Sequence, residues 1–143
     1  MSLFSPWTSQ EGVTMHPDLR RIIAVEAHRR RTGRCPATVH ALGTGESFAV
    51  EASPDGFHDL ASGLRVRSEP AGIVLEDGST VELRLDGDVF FSGRDAVSGE
   101  YFTGRAGGGA SVTLYPTVGT DYFQYAMAGS RGEFYARAAD AGA

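Results

Sequence analysis

The chain has 143 residues and a formal net charge of −5, with the hydrophobic (41%) and charged (22%) content of an ordinary globular protein. That length fits one domain, and no apolar run approaches the ~20 residues of a membrane-spanning helix, so no membrane partner is expected. All 13 basic residues are arginine and both lysine and asparagine are absent, which removes lysine Schiff-base chemistry and the P-loop lysine of nucleotide sites.

An alanine- and glycine-rich, lysine-free chain fits the codon usage of a GC-rich bacterium. The first twelve residues lack the basic flank and apolar stretch of a signal peptide, so the expected compartment is the cytoplasm. Residues 1–14 read as an irregular tail, and residues 15–143 as a single β-rich domain. Phe4 and Trp7 stand in that tail inside a Ser/Thr-rich stretch. Large aromatics of this kind either plug the domain's own core edge or anchor an interface.

A helix is predicted over 16–32. Pro17 suits the first helical position and Asp18 favours the N-terminal turn. Leu19, Ile22, Ile23, Glu26 and Ala27 follow helical spacing and define an apolar stripe with one polar break. Arg29, Arg30 and Arg31 suit the C-terminal turn, and Gly33 stops the helix. Leu19, Ile22 and Ile23 are expected to be buried. Arg29 and Arg31 are expected to be exposed, and they join Phe4 and Trp7 as candidate partner-binding residues. Charge is uneven along the chain: residues 1–34 hold six arginines against Glu11, Asp18 and Glu26, whereas the remainder holds seven against 15 acids. A basic helix lying near an acidic sheet accounts for this, and no nucleic-acid partner is expected. Cys35 is the only cysteine, so it reads as a small buried hydrophobe rather than half of a disulfide.

After Pro36 the period changes from 3.6 to 2. Strands are predicted over 37–42, 46–52, 64–68, 72–76, 79–85, 88–92, 100–104, 111–115, 121–128 and 132–137. In the clearest of them Val81, Leu83 and Leu85 face inward while Thr80, Glu82 and Arg84 face water. Asp55-Gly56, Asp77-Gly78 and Asp86-Gly87 mark turns. Asp59-Leu60-Ala61-Ser62-Gly63 and Asp95-Ala96-Val97-Ser98-Gly99 are one turn written twice, with left-handed glycines expected at Gly63 and Gly99. A loop over 95–99 would set Arg94 opposite Glu100 and Gly93 opposite Tyr101. Gly104 to Ser111 reads as a flexible connector, and the strand that follows leaves no helix N-terminus there to bind a phosphate. The expected fold is mainly β: one N-terminal amphipathic helix packed on an antiparallel β-roll or β-sandwich of about nine or ten strands.

Chemistry is sparse. His16, His28, His40 and His58 form no metal-ligand spacing with one another or with Cys35, so no metal and no cofactor is expected. Asp55, His58, Asp59, Asp95 and Glu100 would make an oxygen-rich site only if the two repeated turns met. No nucleophile elbow is present and no catalytic residue is assigned. The leading expectation is a non-catalytic protein-binding or assembly module, homo-oligomeric or bound to another protein, that uses its aromatic tail and an exposed sheet face or edge. An alternative is a small β-barrel or roll holding an apolar small molecule against Phe91, Phe102, Phe123 and Tyr125. A third, weaker reading is a hydrolase or isomerase built on His58 and Asp59.

Overall fold

A computed structural model describes residues 15–118 and 121–129. The helix α1 runs over Pro17–Thr32, with Pro17 at its first position and the His16 ring accepting from the Asp18 backbone N–H. It ends at Gly33, whose φ of 75° supplies the left-handed cap. Ten strands follow: β1 (Thr38–Ala41), β2 (Glu46–Ser53), β3 (Gly56–Asp59), β4 (Leu64–Glu69), β5 (Gly72–Leu75), β6 (Thr80–Asp86), β7 (Phe90–Asp95), β8 (Tyr101–Ala106), β9 (Ser111–Pro116) and β10 (Phe123–Ala128). Each pairs antiparallel with the next, and β10 returns to pair with β1, so the sheet is a closed barrel. An even number of strands lets an antiparallel meander close with every pair still antiparallel. The mainly β architecture with one leading helix is therefore present, and closure carries the expected roll further: the wall has no free edge.

The helix does not pack on this sheet from outside. It packs against β1, β6, β8, β9 and β10. Its side chains also reach β2 at Phe48, β3 at Asp59, β4 at Ser68, β5 at Gly72 and β7 at Phe90. A helix that touches all ten strands of a closed barrel lies in its lumen. Burial agrees. Ile22, Ile23, Ala24, Val25, Glu26 and Ala27 are all 0% exposed, and six consecutive residues at 100° per step face every direction around the axis. Around them the inward side chains of the wall, among them Val39, Phe57, Val66, Ile73, Leu83, Val112 and Leu114, complete one core.

The barrel has two unlike ends. The helix starts at what is called here the entry end, together with the β1–β2, β3–β4, β5–β6, β7–β8 and β9–β10 turns. The helix finishes at the exit end, where Arg30 donates to the carbonyls of Glu69, Pro70 and Gly72, and Arg31 to those of Gly87, Phe90 and Ala106. Two arginines thus tie the end of the helix to six carbonyls of the exit rim.

Several expectations need correction. Residues 56–59 form a strand, because the turn closes over Pro54 and Asp55 and Gly56 already pairs with Ser53 and Arg67. Strand β8 continues through Gly104 and Arg105 to Ala106, which shortens the expected connector to 107–110. In the second repeated turn the loop is 96–99, because Asp95 pairs with Glu100 through its backbone N–H. Arg94 therefore faces Tyr101, and Gly93 faces Phe102. A Cβ on Gly93 would lie 2.6 Å from the Phe102 ring, and one on Gly104 would lie 2.1 Å from Phe91. The two phenylalanines meet edge to face at 6.3 Å, each covering the glycine opposite it. The predicted strand 132–137 lies outside the described residues.

Candidate functional site

The repeated turns are the same structure. In each, the closing glycine (Gly63 or Gly99) has a φ near 78° and donates to the carbonyl of the opening aspartate. Asp59 accepts from the Ser62 hydroxyl, and Asp95 from that of Ser98. Both turns stand at the entry end, four strands apart, and their carboxylates are spent locally. Asp59 is fully buried and takes two bonds from Arg21, which also binds Asp18. Burial works to raise the Asp59 carboxyl, but the bonds from Arg21 and Ser62 outweigh it and hold the group below the ordinary carboxylate range.

These placements decide most of the candidate chemistry. Asp55 is at the exit end, away from Asp59, and among the described residues no three His, Cys, Asp or Glu side chains converge. His58 and Asp59 are neighbours on β3, so their side chains face opposite sides of the wall. Asp59 is enclosed with Arg21, while His58 sits within 3.3 Å of the Gly63 carbonyl. They form no dyad. Cys35 is 4% exposed, and burial pushes its thiol up to about 11. His40 is engaged with Ser47 rather than Cys35. Burial, and then the charge of Arg34, lower the pKa of His28.

Glu26, 0% exposed, accepts from Arg29, Arg30 and the Ser68 hydroxyl. Arg29 and Arg31 are thus half-buried and bound within their own barrel, where an exposed pair was expected. Phe91 and Phe102 belong to the buried core, where they meet edge to face. Phe4 and Trp7 lie outside the described residues.

Phe123 and Tyr125, the other two pocket candidates, stand at the entry end and line a cavity of about 380 Å³. The cavity lies between the first turn of the helix and the wall, bounded by Arg20, the 41–44 turn, Phe48 and Tyr122. Arg20 lies 3.8 Å above the Phe123 ring, and Arg21 lies 4.1 Å above Phe48. Sequence reasoning missed Arg20, Leu42, Phe48 and Tyr122. Their only sequence signal was position: Arg20 is in the helix's first turn, and Leu42, Phe48 and Tyr122 are near turns that the alternating meander sends to that end.

The same end is apolar on its surface. Of the exposed large hydrophobic residues among those described, Leu42, Leu60, Val97, Tyr101, Tyr115, Val118 and Tyr122 are all there, and Phe90 is at the other end. Tyr115 and Tyr122 pack at 6.0 Å, and Thr117 binds the Tyr101 carbonyl, which sets Tyr101 and the segment 115–118 side by side on this rim. The outer wall instead carries charges such as Arg65, Arg67, Glu82 and Arg84. No helix among the described residues is long and apolar enough to cross a membrane.

No known protein family, curated protein or solved structure matches this chain.

Proposed function

We propose that the protein is a non-catalytic assembly module that docks through the entry end of its barrel, pairing there with a second copy of the chain. The observation that carries this reading is the concentration, among the described residues, of exposed large apolar side chains on that one rim, including the packed pair Tyr115 and Tyr122. Tyrosine is enriched at protein interfaces because it buries a large rigid ring at little entropic cost. The closed wall adds support by elimination: with no free strand edge, strand addition is unavailable and association must use an end or the charged wall. A twofold pairing of like ends is the commonest way for one apolar patch to cover itself.

Sedimentation velocity of the full chain over a range of concentrations tests this. The expected result is a monomer–dimer equilibrium that Tyr101→Asp and Val118→Asp shift strongly toward monomer, with circular dichroism unchanged. A full-length chain that stays monomeric at high concentration, or a dimer indifferent to both substitutions, overturns the reading.

A further inference from the structure

We propose that the cavity at the entry end binds a small organic anion with an apolar body, the anionic head on Arg20 and the body among Phe48, Tyr122 and Phe123. The inference begins with the arginines of the helix. Arg21 has Asp18 and Asp59, Arg29 and Arg30 have Glu26, and Arg31 has three carbonyls. Arg20 has no carboxylate within ion-pair distance among the described residues. Its one hydrogen bond to a backbone carbonyl is to Met15, at 2.6 Å, and its plane rests on Phe123. Its Nε is buried and has no acceptor among the described residues.

A guanidinium partly withdrawn from water, with an unused buried donor, is costly to leave so. An acceptor oxygen delivered from the cavity would remove that cost. The other helix arginines named above have carboxylates or several carbonyls of the fold as partners, whereas half-buried Arg20 has the Met15 carbonyl, the Phe123 ring and the neighbouring Tyr125 hydroxyl, so an anion in the cavity would give it a charged partner.

The surroundings define the rest of the ligand. A volume of about 380 Å³ falls in the lower part of the usual range for small-molecule sites. The walls are mostly aromatic and aliphatic, which suits a ring or short acyl body, and a planar guanidinium suits a carboxylate or sulfonate head. The lining's one carboxylate, Glu46, is exposed at the start of β2 and accepts from the Thr44 hydroxyl of the preceding turn. This site does not depend on the pairing of two chains: dilute monomer should bind, and the pairing test uses no ligand.

Titrating the dilute full chain with anilinonaphthalene sulfonate, and separately with the uncharged N-phenylnaphthylamine, tests the assignment. One saturable sulfonate site per chain is expected, bound more tightly than the amine. Arg20→Met should weaken the sulfonate by about tenfold to a hundredfold and leave the amine unchanged. Tyr122→Ala, at an exposed position that does not threaten folding, should weaken both probes. Failure of the full chain to bind the sulfonate, which is the outcome if its own N-terminal segment fills the cavity, overturns the proposal. So does equal affinity for the two probes, sulfonate binding unmoved by Arg20→Met in a folded variant, or binding unmoved by Tyr122→Ala.

Discussion

The twin turns provide an internal control for the Arg21–Asp59 pair. Asp59 and Asp95 open identical turns and are both buried, but only Asp59 holds an arginine. Asp59→Asn keeps an acceptor for Ser62 and leaves the Arg21 guanidinium, 2% exposed, with Asp18 alone. Removing one partner of a buried ion pair costs about 3–5 kcal/mol. Loss of a turn-capping carboxylate at Asp95→Asn costs about 1 kcal/mol. For a domain of this size each kcal/mol moves the melting temperature by about 3 °C, so the expected drops are about 9–15 °C and about 3 °C. Adding Arg21→Met to Asp59→Asn should recover part of the loss, because the stranded charge is then gone. The pH dependence has a definite sign. The Asp59 carboxyl is a stronger acid in the folded chain than in the unfolded chain, whose value is ~3.9. Its stabilisation is therefore fully present above about pH 5 and is lost as pH falls through the unfolded value and then through the folded one. Thermal melts from neutral pH into that range should show the acid-induced loss in the parent chain and a reduced loss in Asp59→Asn. Equal destabilisation by Asp59→Asn and Asp95→Asn would refute the reasoning, since the turn alone would then account for both.

Ile23→Ala empties a site in the middle of the plug and should cost about 2–5 kcal/mol in a urea unfolding series, far more than a change at the rim. Gly93→Ala places a Cβ 1.9 Å from the Glu82 carbonyl and 2.6 Å from the Phe102 ring, whereas nothing lies within 4 Å of a Cβ on Gly43; the first should cost about 1–3 kcal/mol or more and the second under ~0.5 kcal/mol. Cys35, with its thiol pushed up to about 11, should react with a disulfide reagent at least about a hundredfold more slowly than free cysteine at about pH 8, and at the free rate once the chain is unfolded.

Period-2 alternation made the strands legible because each wall strand has one face in the core and the other in water; Val81, Leu83 and their polar neighbours are placed as the pattern requires. The repeated turns were legible because an aspartate, a serine and a left-handed glycine at fixed spacing leave few alternatives. Strand β3 was hidden by its own composition. Asp55-Gly56 resembles a turn and Asp59 resembles a solvated corner, yet Gly56 is needed where Val66 passes too close for a Cβ, and Asp59 is buried by Arg21. The helix was located correctly, but its polarity was read around the axis. It is arranged along the axis: Arg20 and Arg21 before, Arg29 to Arg31 after, and six residues between them buried all round. Amphipathic reasoning assigns the polar side of a helix to water, and in this barrel that side meets Ser68, Asp59 and the rim carbonyls instead. Registers fail by one residue more easily than strands do, as at Arg94, because a four-residue and a five-residue loop share the same turn residues.

Threading the helix through the barrel also restricts where function can reside. The lumen, which in other closed barrels is free to hold a ligand, is occupied here by Ile22 to Ala27. Closure removes the strand edges that would otherwise recruit a peptide. What remains is the wall and the two ends, and the ends differ in how their arginines are used. At the exit end Arg30 and Arg31 donate to six carbonyls, so the helix terminus and the rim satisfy one another. At the entry end Arg21 is equally satisfied, but Arg20 keeps a buried donor idle beside an open cavity, under a rim of exposed tyrosine, leucine and valine. Stability alone would favour sealing both ends alike. The end that, among the described residues, leaves a buried donor and large apolar side chains unpaired is therefore the one at which binding can gain the most free energy.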